Sequence, residues 1–162
     1  FKLVQPSLIL DRLTMIVEEA FVQEGYDVKD GMDMALCSLD REKGVLEFAG
    51  ANNPLYLVRD GELIETKADK QPIGSFDDRK PYTNHTVEVK EGDCVFILSD
   101  GFPDQFGGPR GKKFKYKPLK RILEKVGDSS MKEMHDLLEK TFEDWRGDYE
   151  QIDDVCIIGV RV

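Results

Sequence analysis

The spacing of apolar residues changes twice along the chain, and these changes restrict the fold more than any other feature of the sequence. Over residues 7–24 apolar side chains recur at steps of three and four, which predicts an amphipathic helix with Ser7 as its candidate N-cap and Gly25 just past its end. From Met32 the period shortens towards two, as is typical of strands that bury one face. The strands predicted in this part are residues 33–40, 45–51, 54–60, 62–67, 86–90 and 93–99.

Helical spacing returns in the last third of the chain, over about residues 117–126 and 130–146. The second of these helices carries a face of large apolar residues that we expect in the core: Met131, Met134, Leu138, Phe142 and Trp145. Residues 153–162 then predict a closing strand, whose apolar density favours a central place in a sheet.

Two glycine turns indicate how the strands are joined. Lys43-Gly44 and Asp60-Gly61 are hairpin signals, so neighbouring strands are expected to pair antiparallel, whereas residues 26–31 and 68–85 are expected to be loops. The order of helix, antiparallel strands, two helices and strand predicts an α+β fold, in one domain over residues 1–162.

Composition excludes several classes of protein. A formal charge of −9 argues against general nucleic-acid binding and favours cationic partners, including metal ions. No apolar run approaches the length of a membrane span, so we expect no direct membrane contact.

The three cysteines are far apart in apolar runs, which predicts buried thiols and a cytoplasmic location. The N-terminus lacks an initiator Met and a signal peptide, so we expect a piece of a longer chain.

One basic segment interrupts the acidic sequence. Seven of the twelve residues from Arg110 to Arg121 are Lys or Arg. Arg110, Lys112 and Lys113 could attract a phosphorylated, acidic protein surface, or the segment could simply be solvated. Phe114 alternates with the lysines as in a base-stacking platform, but one short stretch in an acidic domain does not favour nucleic acid.

The strongest candidate for a site is the turn that follows the strand Val95–Leu98. Asp100 and Gly101 follow the end of that strand, and Asp153 and Asp154 precede the start of the last one. In an antiparallel pair these positions share one edge of the sheet, so the carboxylates could converge on a hard cation such as Mg²⁺ or Mn²⁺. An ordinary polar turn explains the same residues, and spacing alone does not decide between the two. Asp104 could likewise support such a site or lie on the loop surface.

Four segments together resemble the SpoIIE-like branch of the metal-dependent serine/threonine phosphatases of bacteria. They are FAGANNPLYLVRDGEL, QPIG, GDCVFILSDGFPDQFGG and QIDDVCIIGVRV, and the resemblance covers nearly the whole chain. It implies an α-β-β-α sandwich of two antiparallel sheets flanked by helices, with two Mn²⁺ or Mg²⁺ ions at one edge. By position Asp100 and Asp153 match metal ligands of the family, Asp154 is a weaker candidate, and Gly101 could act through its backbone or a water.

The chain also departs from this pattern. The family carries an Asp-x-x-Gly-His-Gly turn before the first long helix, and its Asp bridges the two metals; this chain has no Gly-His-Gly, and Ala51 stands where many relatives have histidine. We therefore expect the C-terminal two-thirds or so of a phosphatase domain, without its N-terminal strands and inactive alone.

The resemblance further implies partners for the complete protein. These are a phosphorylated regulatory protein, such as an anti-sigma factor antagonist, as the substrate, and a sensor domain upstream in the same chain. The alternative is a noncatalytic regulatory binding module on the same fold.

Overall fold

The structure is a computed structural model that describes residues 4–23 and 31–162. Its helices are α1 (Pro6–Gln23), α2 (Gly101–Asp104), α3 (Tyr116–Leu123) and α4 (Met131–Arg146), with a 3-10 helix at Glu124–Asp128. Its strands are β1 (Gly31–Met32), β2 (Met34–Asp40), β3 (Val45–Ala51), β4 (Leu55–Arg59), β5 (Glu62–Thr66), β6 (Ile73–Gly74), β7 (His85–Glu88), β8 (Cys94–Leu98), β9 (Phe106–Gly107), β10 (Lys112–Lys113) and β11 (Ile157–Arg161).

The first of two compact units comprises residues 1–55 and 66–90. Its main sheet has the order β2-β3-β7 with antiparallel pairs, and β1 pairs with β6 in a second, short sheet. Helix α1 contacts β3 and β6, and it buries Leu10 completely. The core under this helix also contains Ala49, Ala51, Ile73 and Tyr82.

The second unit comprises residues 56–65 and 91–162. Its four-stranded sheet has the order β11-β8-β4-β5. Large side chains of β4 and β8 form its core with residues of α2, α3 and α4, among them Tyr56, Phe96, Phe102, Leu119, Leu123, Met134 and Phe142. Helix α4 begins with a capping box, in which Ser130 Oγ accepts from Glu133 N and Glu133 accepts from Ser130 N.

The α+β class and most predicted elements are confirmed. All six strands predicted before residue 100 and the three long helical patterns are present, with bounds that differ by a few residues. The face of α4 lies in or against the core, as expected. Short elements were missed: β6 lies inside the predicted loop 68–85, and α2, β9 and β10 follow the Asp100 turn. The predicted helix end at Gly25 and most of the loop 26–31 lie outside the described residues.

Two predictions were wrong. The closing strand is an edge strand rather than a central one, because among the described strands β11 pairs with β8 alone, and Ile158 is 52% exposed. Of the three cysteines predicted to be buried, Cys94 is buried and Cys37 is half-buried. Cys156 is exposed, since it precedes β11 in the irregular segment at the end of the sheet. No helix within the described ranges is long and apolar enough to cross a membrane.

Candidate metal centre

Strands β8 and β11 bring the two aspartate segments to the same end of the sheet. The strands are antiparallel, with Leu98 opposite Ile157 at the end of the ladder. The next backbone hydrogen bond runs from Ser99 N to Cys156 O at 2.9 Å. Asp100 and the segment that holds Asp153 therefore lie at the same end of this strand pair.

The hydroxyl of Ser99 joins the two segments beyond the ladder. It donates to Asp154 O at 2.7 Å and accepts from Cys156 N at 2.9 Å. One side chain thus satisfies two backbone groups of a segment that no ladder reaches. Sequence reasoning assigned Ser99 no role, although its place between the strand and Asp100 was the available signal.

Gly101 is required by close packing against the second segment. It is buried, and a Cβ atom built there would lie 2.4 Å from Asp154 O. The sequence argument expected glycine for a sharp turn, but its backbone is that of the first residue of α2. Since any side chain would push the two segments apart, Gly101 sets the spacing between them.

The candidate metal ligands are the three carboxylates at this end of the sheet. Asp100 is half-buried, and its carbonyl oxygen accepts from Asp104 N at 2.9 Å. Asp153 is exposed, and its Oδ1 accepts from Asp154 N at 2.7 Å. Asp154 is exposed and has its carbonyl engaged by Ser99. Carboxylate oxygens are the donors that Mg²⁺ and Mn²⁺ prefer, so the chemistry of these residues fits the implied ions.

These three aspartates do not by themselves form a closed ligand cluster. In the described part of the chain, the group of three His, Asp or Glu side chains close enough to share an ion is His135, Asp136 and Glu139. That group is exposed on α4, where Asp136 pairs with Lys132 at 2.7 Å, as expected of a solvated helix surface.

The basic segment has two different parts. Lys113 pairs with Asp104 at 2.7 Å, and this ion pair joins the β9–β10 hairpin to the end of α2. Both side chains therefore have a partner within the protein. Arg110 and Lys112 are exposed, and the ion pairs of the described residues do not include them. Phe114 is buried and packs edge-on against Phe102, so it offers no stacking platform for a base.

The segment FAGANNP has a structural role in the first unit. Ala51 is fully buried in the core under α1. Asn52 has a φ of 61°, and its amide donates to Asp33 Oδ1 at 2.7 Å.

Comparisons with known proteins identify the family and the fold of the chain. Residues 2–162 match the family described as stage II sporulation protein E (SpoIIE). The SiaA PP2C domain of Pseudomonas aeruginosa is 28% identical with a TM-score of 0.86, over 98% of this chain and 61% of that one. This chain thus spans less than two thirds of that relative. A search of curated proteins found no match.

Two more distant structures share the fold. The phosphatase domain of SpoIIE from Bacillus subtilis is 17% identical with a TM-score of 0.62, over 99% of this chain and 75% of that chain. The catalytic domain of the serine/threonine protein phosphatase PstP, solved with two manganese ions, is 18% identical with a TM-score of 0.63, over 90% and 65%. The fold is that of PP2C phosphatase domains, and with a family match over residues 2–162 the chain belongs to the SpoIIE family.

Proposed function

We propose that the protein containing this chain is a metal-dependent serine/threonine protein phosphatase. The observation that carries the proposal is the joining of the Asp100 and Asp153 segments at one end of the β8–β11 pair, in a chain of the SpoIIE family. An ordinary surface turn does not require a second segment to be bonded beside it. Two ligands of one metal centre, in contrast, must be held at a fixed separation.

Each aspartate has a distinct part in this proposal. Asp100 and Asp153 are the protein's ligands for Mn²⁺ or Mg²⁺, two ions in the complete domain. Asp154 is the weaker candidate, because the described contacts of this residue are made by its backbone. When bound, such ions act as Lewis acids that activate water and neutralise charge on the phosphoryl group.

Substrate docking is assigned to the exposed cations Arg110 and Lys112. They lie in the segment between β9 and β10 and at the start of β10, a few residues beyond the Asp100 turn. Lys113 contributes less than the sequence suggested, because Asp104 already neutralises it. The proposed substrate is a phosphoserine or phosphothreonine on a cytoplasmic regulatory protein, such as an anti-sigma factor antagonist, under the control of an upstream sensor domain. This finer assignment draws support from the family.

Residues 1–162 alone are proposed to be inactive. Two or three carboxylates do not balance the charge of two divalent cations, so we expect tight binding to require further carboxylates from another part of the protein. We expect residues 1–162 alone to bind Mn²⁺ weakly and to hydrolyse the phosphoprotein substrate at a negligible rate.

The alternative function, a noncatalytic binding module, is favoured by one observation. Asp100, Asp153 and Asp154 are not among the groups of three side chains that could share an ion in the described part of the chain. A natural protein without the Asp-x-x-Gly-His-Gly turn would support this alternative.

The test uses the full-length natural protein with a phosphoserine protein as substrate. We expect phosphate release with Mn²⁺ or Mg²⁺ and none with chelator, and we expect Asp100→Asn to abolish the activity. Asp78→Asn, in an exposed loop of the first unit, is the matched control and should retain it. Undiminished activity of a stably folded Asp100→Asn protein would refute the site, and a wild-type protein without metal-dependent activity would favour the binding module.

A further inference from the structure

Gln105 is a fully buried polar residue directly after α2, the helix that begins beside Asp100. Its Nε2 donates two hydrogen bonds, to Glu150 O at 2.8 Å and to Phe106 O at 2.9 Å. The bond to Glu150 crosses 45 positions of sequence and reaches the loop that leads to Asp153. The side-chain amide therefore links the two segments that carry the proposed ligands.

The loop that Gln105 reaches has few other means of staying in place. Residues 147–154 are all exposed, so burial of side chains contributes little to their order. Two bonds from the Asp100 segment bracket Asp153: Gln105 holds Glu150 O, and Ser99 holds Asp154 O. Only three residues, 151–153, lie between these anchors, which leaves little freedom for the carboxylate.

The backbone of Gln105 is held by hydrogen bonds. Its main-chain carbonyl oxygen accepts from Trp145 Nε1 at 3.1 Å and from Phe114 N at 3.0 Å. Gly108 N donates to Trp145 O at 2.7 Å, and a Cβ on Gly107 would lie 1.9 Å from that same oxygen. The residues that follow Gln105 are thus packed against the end of α4, close to the start of the loop that Gln105 reaches.

The hydrogen bonds of the Gln105 side chain indicate that its two Nε2 donors, rather than its oxygen, account for a glutamine at this position. Oε1 of Gln105 has no hydrogen-bond partner among the described residues, although it is buried. A buried acceptor without a partner is unfavourable, and methionine would fill a similar volume without one. Stability alone does not explain a glutamine here, whereas the need to hold Glu150 O does.

We propose that Gln105 is a positioning residue that fixes Asp153 relative to Asp100 for metal binding. The inference rests on the proposed function. It gives the Asp100 segment two tasks: to supply one ligand, and to hold the loop of the second ligand through Ser99 and Gln105. Supporting residues of this kind commonly alter metal affinity by about 10- to 100-fold.

The test compares Gln105→Met with the wild type in the full-length protein. We expect hydrogen–deuterium exchange in the peptide 148–154 to become faster and Mn²⁺ affinity by calorimetry to fall by about 10-fold or more. Gln105→Asn keeps the amide on a side chain one methylene shorter, so it should recover part of the Mn²⁺ affinity. If Gln105→Met does not fold, Gln105→Asn is compared with the wild type instead.

Gln71→Met is the matched control. Gln71 is also buried, and its amide bonds to Lys80 O at 2.6 Å and Lys80 N at 3.0 Å, within the first unit. This change should loosen its own loop and leave Mn²⁺ affinity unchanged. Unaltered exchange over 148–154 in Gln105→Met, or equal loss of affinity in Gln71→Met, overturns the inference while the proposed function stands. A wild-type protein that binds no Mn²⁺ overturns the proposed function and the inference with it.

Discussion

Two turns of this protein use aspartate in opposite ways. In the first unit, Asp69 accepts from Thr83 N at 2.7 Å and Thr83 Oγ1 at 3.0 Å, and backbone bonds join residue 69 to Gly50 and Asn52. The carboxylate there is part of what holds the loop. At the β8–β11 end, the Ser99 hydroxyl and backbone groups make the described bonds that join the two segments.

This difference provides a way to distinguish a structural carboxylate from a candidate metal ligand. A structural carboxylate accepts bonds from residues distant in sequence, as Asp69 does across 14 positions. Asp153 accepts from the N–H of its own neighbour, and the long-range bonds of its segment are made by Ser99 and Gln105. Changes to aspartate should therefore cost stability in the first turn and metal binding in the second.

The largest expected effect is that of Gly101→Ala. Its Cβ would lie 2.4 Å from Asp154 O, so the two segments must separate, and we expect about 2–3 kcal/mol of lost stability and loss of metal-dependent activity. Gly61→Ala, in the turn between β4 and β5, is the control, since no atom lies within 4 Å and only its φ of 77° opposes alanine, at about 1 kcal/mol. Denaturant unfolding of both variants measures the difference; equal losses would contradict the close approach.

Ser99→Ala should have the next largest effect. It leaves Cys156 N and Asp154 O without their bonds to the hydroxyl, at about 1–2 kcal/mol in the free energy of unfolding. Because the change loosens the Asp153 segment, Mn²⁺ affinity should fall as well. Calorimetry in which affinity stays at the wild-type value would show that the hydroxyl only stabilises the fold.

Asp69→Asn should alter stability without altering the metal site. The neutral amide can keep one of the two bonds to Thr83, so about 1 kcal/mol of stability should be lost. Mn²⁺ affinity and activity should match those of the wild type. A marked loss of Mn²⁺ affinity in a folded Asp69→Asn protein would remove the distinction between the two turns.

The smallest expected effect is a difference in thiol reactivity between Cys37 in the first unit and Cys156 beside the candidate metal centre. Burial raises the pKa of the Cys37 thiol to about 11, so little thiolate exists at pH 8 and reaction with a thiol reagent should be slow. Cys156 is exposed and should react first. The proton on Cys37 is held more tightly in the folded protein, so this thiol favours the fold below about pH 9 and the contribution disappears as pH rises towards 11. Mass spectrometry of labelled peptides follows both rates; faster labelling of Cys37 at pH 8 would contradict its burial.

Much of the fold follows from local sequence patterns. The spacing of apolar residues located α1, α4 and β8, because these elements bury one face or lie wholly in the core. The same signal misplaced β11, since an apolar run does not reveal whether a strand has one neighbour or two. Elements as short as β9 and β10 contain too few residues to show any period.

The site was predictable only in part. Sequence order and antiparallel pairing were enough to bring Asp100 and Asp153 to one end of the sheet. The residues that hold them there were not, because Ser99 and Gln105 act through bonds across 45 or more positions. Nor does a basic segment show which lysine is neutralised by a distant aspartate, as Lys113 is by Asp104.

The most direct test of the metal site is a calorimetric titration of Mn²⁺ into the full-length protein and its Asp153→Asn variant. Asp153 is exposed and its side-chain bond is to its own neighbour, so the change should leave the fold intact. We expect two bound Mn²⁺ ions in the wild type, and loss of an ion or at least a 10-fold weaker affinity in the variant. Identical titrations of the two folded proteins would contradict it.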